Sequence, residues 1–275
     1  MGFLIAAVLT AILAVLLIGF YALRAAGPPV RLPLLAGVLA TPLHAASLFL
    51  VRMPLHGVLV TALPSGVLFW VASLYAPLLE EPAKWLVLFL PFIRARLTPA
   101  NAAGIALAVG LGFGLGEIVN LAALTMLHAP ETTQQAFYIY NGFMVERLIV
   151  CFLHGAMIVP VAQRLADGRP VWPGLLIGMA LHYLVNFPLV MAEVEPFGIG
   201  RGVWIGLAMP WLTLMALGLA VYLVDARRRR TGGSVLGEAV CEACGTSYPR
   251  SLLALNLGPW KLQRCPHCGR WQLVS

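Results

Sequence analysis

Long apolar runs separated by short polar breaks occupy most of this 275-residue chain. A helix needs about 20 mostly apolar residues to cross a bilayer, and several runs approach or exceed that length. Together with glycine and proline at the breaks, the pattern predicts about seven membrane-spanning helices. We place them near residues 2–23, 33–51, 66–92, 100–127, 137–164, 171–190 and 203–225.

The composition agrees with a membrane protein. The chain is 60% hydrophobic and 11% charged, whereas roughly 25% of the residues in a typical soluble domain are charged. We therefore predict an all-α polytopic membrane protein with its helical domain in residues 1–226. The first apolar run lacks a basic N-terminal region and a cleavage site, so we interpret it as a retained span.

The basic residues predict an orientation. Arginines follow the first, third, fifth and seventh predicted spans, and the run Arg227–Arg230 is the densest of these groups. Because positive charge marks the cytoplasmic side, the N-terminus is predicted outside and the C-terminus in the cytosol, in a prokaryotic plasma membrane. An alternative for residues 52–65 is a re-entrant or interfacial segment instead of a plain loop.

Ionisable side chains lie inside the predicted spans, where they are costly and usually serve a function. They occur on the third, fourth, fifth and sixth predicted spans. His44 lies in the second span, and Asn120 and Asn186 add neutral polar groups. The candidate site residues are Glu80, Glu81, Lys84, Glu117, His154, His182 and the neutral Asn186.

These side chains fall at similar depths in the bilayer. At about 1.5 Å per residue, Glu80 lies roughly 20 Å and Glu117 roughly 25 Å from the cytoplasmic ends of their spans. The same rise gives about 15 Å for His154, 16 Å for His182 and 22 Å for Asn186. Four helices of alternating direction therefore bring polar groups to one level near mid-membrane.

The spacing of the polar residues also predicts shared helix faces, because residues three, four or seven apart lie on one side of a helix. A buried structural ion pair of Glu80 with Lys84 is an alternative to a functional role. Glu146 and Arg147 could likewise form a structural or interfacial ion pair. His44 is interpreted as a hydrogen-bonded packing residue. The pairs that share a face are Glu80 with Lys84, Glu117 with Asn120, His182 with Asn186, and Arg147 with His154.

Such a set of side chains is suited to hydrolysis. A carboxylate in apolar surroundings can act as a general base towards water, and a histidine or asparagine can stabilise an oxyanion. The same glutamates and histidines could instead hold a catalytic Zn²⁺ with an open position for water. The sequence contains no HExxH motif, so this metal alternative lacks its strongest local signal.

Four motifs occur in order on successive predicted spans. They are Glu80-Glu81-x-x-Lys84, then Gly112 to Glu117-x-x-Asn120, then Arg147 with His154, and then His182-x-x-x-Asn186-Phe187. This order, over roughly residues 66–190, resembles the PrsW family of intramembrane proteases. That family is grouped with the CAAX prenyl endopeptidases and the bacterial CPBP proteins.

The resemblance implies an endopeptidase that cleaves membrane-embedded or membrane-adjacent protein substrates. It implies that Glu80 is the base that activates water and that Glu81 supports it. Glu117 would be a second acid, an orienting group or a ligand.

The resemblance also implies roles for the polar residues of the later spans. His154 would assist at the water or the carbonyl, and His182 with Asn186 would form the oxyanion site. Lys84 and Val150 stand where the prenyl endopeptidases have arginine and phenylalanine, so CAAX processing is not expected. The supporting residues of these motifs are Lys84, Asn120 and Arg147.

The composition changes after Arg230. Residues 227–236 are predicted to be a basic linker, and residues 237–275 contain two CxxCG motifs, with twenty residues between Cys244 and Cys265. This spacing predicts a small cytosolic zinc ribbon in which four thiolates hold a structural Zn²⁺. The predicted ligands are Cys241, Cys244, Cys265 and Cys268.

The tail also suggests partners. Its basic surface carries few aromatic residues, so we expect contact with a cytosolic protein or an anionic lipid, and no nucleic acid. For the membrane domain, the alternative from another functional class is a non-catalytic transporter or substrate-binding scaffold. A transporter more often shows inverted repeats, and none is visible in this sequence.

Overall fold

The structure is a computed structural model, and it describes residues 1–27, 30–230, 237–251, 254–257 and 260–274. The chain forms two compact units, Met1–Ala216 and Leu217–Ser275. The first unit is helical, and the second contains residues 217–230 of the last helix together with the strands.

Six helices of the described residues are long and apolar enough to cross a membrane, so the chain is a membrane protein. Two of them come first: α1 (Gly2–Ala26) and α2 (Arg31–Ala62). Each contains one π-helical turn, Val15–Gly19 in α1 and Ser47–Arg52 in α2. Helix α2 therefore continues through most of residues 52–65, for which we expected a loop, an interfacial or a re-entrant segment.

The predicted span 66–92 is not one continuous helix, so the count of seven is not confirmed. It consists of α3 (Ser65–Ser73), a π-helical turn (Ala76–Glu80), α4 (Glu81–Phe89) and α5 (Pro91–Arg94). Prolines explain the interruptions, because proline lacks the backbone N–H that would continue the ladder of hydrogen bonds. Pro77, Pro82 and Pro91 each stand in the first turn of one of these pieces.

Four long helices complete the helical domain: α6 (Ala102–His128), α7 (Asn141–Ala166), α8 (Trp172–Val194) and α9 (Arg201–Arg230). Helix α6 lies at the centre and packs closely against α2 and α7. Short 3₁₀ turns, Pro130–Thr133, Phe137–Tyr140 and Pro196–Gly198, connect the helices.

Glycines permit the close packing of α6. A Cβ atom on Gly112 would collide with the backbone of Gly37 in α2, and one on Gly110 would collide with the backbone of Gly155 in α7. Small residues at such crossings let membrane helices approach closely. The glycine-rich stretch before Glu117 thus brings this glutamate near α7, which carries His154 and Arg147.

The second unit contains two small antiparallel sheets. Strands β1 (Glu238–Val240) and β2 (Ser247–Pro249) pair with each other. Strands β3 (Leu255–Leu257), β4 (Trp260–Arg264) and β5 (Trp271–Val274) form the other sheet. Of the predicted basic linker, residues 227–230 are helical, and residues 231–236 lie outside the described residues.

Candidate functional site

A cavity of about 530 Å³ lies within the helical domain. Helices α7, α8 and α9 contribute mostly apolar side chains to its wall, and the π-helical turn before α4 contributes a carboxylate. Of the predicted site residues, the wall contains Glu80, Glu117, His154, His182, Asn186 and the supporting Arg147.

Glu80 is the carboxylate at the end of the π-helical turn. Its side chain lines the cavity and is 7% exposed. Its closest basic groups are Nη1 of Arg52 and Nε2 of His182, each 3.9 Å from one of its oxygens. Glu80 therefore has basic groups nearby but no tight ion pair that would hold it away from a substrate or a water molecule.

Glu81 has a different environment, although it is the next residue. It is 0% exposed, and its Oε1 accepts hydrogen bonds from Nζ of Lys84 at 2.6 Å and from Nδ1 of His182 at 2.6 Å. Its Oε2 has no hydrogen-bond partner among the described residues. Glu81 is thus a buried anchor for two other side chains and does not line the cavity.

Lys84 pairs with Glu81 and not with Glu80, which corrects the expected pairing four residues apart. Lys84 is fully buried, and such an ammonium needs acceptors on several sides. Glu81 provides one, Nδ1 of His154 provides a second at 2.8 Å, and the ring of Phe113 lies 4.9 Å away. Glu80 instead faces the cavity, so it does not take part in this cluster.

The hydrogen bonds assign the ring protons of the two histidines. Because an ammonium group can only donate, Nδ1 of His154 accepts from Lys84, and its Nε2–H then donates to Glu117 at 3.1 Å. His182 has the opposite arrangement, since its Nδ1–H donates to Glu81. In its neutral form, His182 therefore presents an unprotonated Nε2 towards Glu80 and the cavity.

Glu117 also lines the cavity and belongs to a second charged cluster. Nη1 of Arg147 lies 2.7 Å from its Oε1, and Arg147 also donates to Glu146. Arg147 and His154, which lie two turns apart on α7, both contact Glu117. This contact agrees with the predicted shared face, and it makes Glu117 an orienting partner of His154.

The two asparagines lie in different places. Asn186 lines the cavity one turn after His182 on α8, as the spacing predicts. Asn120 instead donates to Nδ1 of His44 at 2.7 Å and is not part of the cavity wall. His44 is buried and hydrogen-bonded, as predicted for a packing residue.

Sequence reasoning missed Arg52 as a member of the site. The prediction placed it in a loop, whereas it lies at the end of the π-helical turn of α2 and lines the cavity. The sequence offered one signal, because Arg52 is one of the few basic residues in the loops predicted on the side opposite the arginine-rich loops. Arg201 and Glu193, which pair at 2.9 Å, also line the cavity where α8 ends and α9 begins.

Four cysteines come together in the second unit, as predicted. Their sulfur atoms all lie within 4.8 Å of one another, which is close enough to hold a metal ion. The Sγ atoms of Cys241 and Cys268 are 3.6 Å apart, and those of Cys244 and Cys265 are 3.8 Å apart. A tetrahedral ion with sulfur ligands at about 2.3 Å requires separations of about 3.8 Å.

The backbone of the two CxxCG motifs explains why glycine follows each second cysteine. Gly245 and Gly269 have φ angles of 68° and 75°, and their N–H groups donate to the carbonyl oxygens of Cys241 and Cys265. Only glycine adopts this conformation without strain. Hydrogen bonding with Thr246 lowers the pKa of the Cys244 thiol to about 6.

No protein-family model, no curated protein and no solved structure matches this chain. The resemblance of its four motifs to the PrsW family therefore stays a prediction.

Proposed function

We propose that this protein is an intramembrane endopeptidase in which Glu80 activates water to hydrolyse peptide bonds of membrane-associated substrates. The observation that carries the proposal is the contrast between the two adjacent glutamates. Glu81 is locked into a buried cluster, whereas Glu80 lines a cavity large enough for a segment of polypeptide. A carboxylate that is held at a cavity wall without a tight partner has the freedom that a general base needs.

His182 supplies the second half of the proposed chemistry. Glu80 takes a proton from water as the oxygen attacks the carbonyl carbon, and the proton passes to Nε2 of His182. Protonated His182 then donates to the developing oxyanion or to the departing amine, while the hydrogen bond to Glu81 keeps its ring in place. Asn186 lies one turn away on the same wall and is the neutral donor for the oxyanion.

The hydrogen bonds of the histidines support a mechanism without a catalytic metal ion. Both ring nitrogens of His154 already have partners, Lys84 and Glu117, so neither is free to bind an ion. His182 has only Nε2 left for that purpose. Among the described residues, the ribbon cysteines are the one group of potential ligands close enough together for a metal site.

For the ribbon, we propose that the bound ion is Zn²⁺ and that its role is structural. Four thiolates are the ligand set of closed zinc sites, which leave no coordination position for a substrate. The small core of this unit supports the same role, because a domain of this size usually needs such a metal ion to fold.

The proposed orientation places the N-terminus outside and the ribbon in the cytosol, where a protein or an anionic lipid would contact it. Six spans would leave both ends on one side, so this orientation requires residues 65–94 to cross as well. A helical path of 30 residues would cover roughly 45 Å, against about 30 Å of hydrocarbon. Antibody labelling of epitope tags appended to the two ends, before and after the membrane is permeabilised, tests this orientation.

A comparison of the purified protein with two variants tests the proposed activity. Wild type, Glu80→Gln and His182→Ala are reconstituted with a mixture of bacterial membrane proteins, and mass spectrometry then identifies new N-termini. We expect cleavages that occur with wild type and are absent with both variants. The same set of cleavages with both variants would show that the proposed site is wrong.

A further inference from the structure

Arg52 differs from the other cations of the site in its partners. Lys84, Arg147 and Arg201 each have a carboxylate oxygen within 2.9 Å. The nearest carboxylate to Arg52 among the described residues is Glu80, at 3.9 Å, and its side chain is 42% exposed. Arg52 thus lines the cavity without a hydrogen-bonded acidic partner.

The other two arginines of the cavity wall are already paired. Arg147 binds both Glu117 and Glu146, and Arg201 binds Glu193. A guanidinium group is always charged and offers five donors in a planar fork that matches a carboxylate. At membrane depth, such a group gains much from an anionic partner, because water is scarce there.

We propose that Arg52 selects substrates that carry a carboxylate next to the bond to be cut. This inference rests on the proposed function of the site and specifies its substrates. A carboxylate bound to Arg52 at about 2.8 Å would lie within roughly 7 Å of Glu80. An extended chain advances about 3.5 Å per residue, so the carboxylate lies within about two residues of the bond that the activated water attacks.

Substrate binding also changes the surroundings of Glu80. The substrate carboxylate replaces Glu80 as the acidic neighbour of Arg52. Glu80 then interacts only with the water molecule and His182. The carboxylate could belong to an aspartate or glutamate side chain or to the C-terminus of the substrate. Both sources offer the same carboxylate to the guanidinium, and peptides with only one of the two carboxylates distinguish them.

Two sets of fluorescence-quenched decapeptides in detergent micelles test this inference. In the first set, peptides of alanine, leucine and valine with blocked ends carry one glutamate at each position in turn, and matched peptides carry glutamine instead. In the second set, an entirely apolar peptide has either a free or an amidated C-terminus. We expect wild type to prefer the carboxylate by about 10- to 100-fold in kcat/KM in one of the sets, the range expected for a charge-assisted hydrogen bond.

Variants of Arg52 then show whether it causes the preference. In Arg52→Gln the ratio of carboxylate to amide should fall to about 1, and Arg52→Glu should prefer a lysine peptide instead. Arg201→Gln is the matched control, because Arg201 lines the same cavity but is paired with Glu193. The inference is wrong if Arg52→Gln keeps the preference, if Arg201→Gln loses it equally, or if wild type shows none.

A binding measurement separates this inference from the proposed activity. The same peptides are titrated against Glu80→Gln and against the double variant with Arg52→Gln, and fluorescence anisotropy gives Kd. Tighter binding of the carboxylate peptide to Glu80→Gln, lost in the double variant, supports the role of Arg52 even if wild type cuts nothing. Equal binding of the two peptides to Glu80→Gln contradicts it, whatever the activity.

Discussion

Lys84 donates a 2.6 Å hydrogen bond to Glu81, and neither side chain is exposed at all. Through this pair, two histidines from different helices are held in place, because Lys84 also contacts His154 and Glu81 also contacts His182. The pair therefore connects α4, α7 and α8 at the level of the cavity.

Removal of one partner of this pair should destabilise the protein strongly. We expect Lys84→Met to cost about 3–5 kcal/mol of stability, because Glu81 would remain as an uncompensated buried charge. Thermal unfolding in detergent measures the effect. The exposed Arg31→Met is the matched control and should unfold at the wild-type temperature. Equal unfolding temperatures for both variants would show that the pair is not buried as described.

The double variant Glu81→Gln with Lys84→Met should be more stable than the sum of the single effects predicts. Each single change leaves a charge without its partner, whereas the double change removes both charges. A double-mutant cycle of unfolding midpoints checks this coupling. Additive losses would mean that the two side chains do not interact.

The histidine tautomers can be observed directly. The contacts require that neutral His154 carries its proton on Nε2 and that neutral His182 carries it on Nδ1. Nitrogen-15 NMR of protein labelled at histidine distinguishes the two forms, and His154→Asn and His182→Asn assign the signals. The same tautomer at both positions would contradict the described network.

Trp211 supplies a hydrogen bond that a proline removes from helix α8. Pro188 lies inside α8 and has no N–H for the carbonyl oxygen of Leu184, and the indole N–H of Trp211 donates to that oxygen at 2.6 Å. We expect Trp211→Phe to cost about 1 kcal/mol beyond the loss of packing, since the carbonyl is left without a donor. Thermal unfolding measures the change.

Two further variants isolate the hydrogen bond of Trp211. Pro188→Ala restores a backbone N–H that can donate to the carbonyl oxygen of Leu184. In that background, Trp211→Phe should therefore lower the stability much less. Trp204→Phe is the matched control, because the Trp204 indole N–H has no hydrogen-bond partner among the described residues. If Trp211→Phe and Trp204→Phe have the same effect in both backgrounds, the hydrogen bond contributes nothing.

The ribbon should contain one metal ion per chain. We expect Cys244→Ser to lose the ion, because three sulfur ligands remain, whereas Cys151→Ala should keep it, since this buried thiol lies in the helical domain. Elemental mass spectrometry of purified protein measures the content. An active variant in which serine replaces all four ribbon cysteines, and which still carries a stoichiometric metal ion, would indicate a second site and would contradict the metal-free mechanism.

The helical class and the convergence of the polar residues could be predicted from the sequence, because apolar run length and residue spacing carry that information. Depth along the helices is enough to bring Glu80, His154 and His182 to one level. The cysteine cluster was equally predictable, since the spacing of the two CxxCG motifs defines a four-thiolate site.

The finer contacts could not be predicted in this way. Whether Lys84 pairs with Glu80 or with Glu81 depends on which of the two glutamates faces the cavity. That orientation depends on the π-helical turn that ends at Glu80. The π-helical turn of α2 likewise ends at Arg52, which therefore lies in the cavity wall instead of a loop. Apolar periodicity does not reveal a π-helical turn, because its composition resembles that of the helix around it.

Glu80 is proposed as the base that activates water, and the kinetics of Glu80→Gln with a peptide that wild type cleaves test this role. We expect kcat/KM to fall by about 100- to 10,000-fold while the unfolding temperature stays unchanged. The exposed Glu131→Gln, as the matched control, should retain wild-type kinetics. Wild-type cleavage by Glu80→Gln would show that Glu80 is not the base.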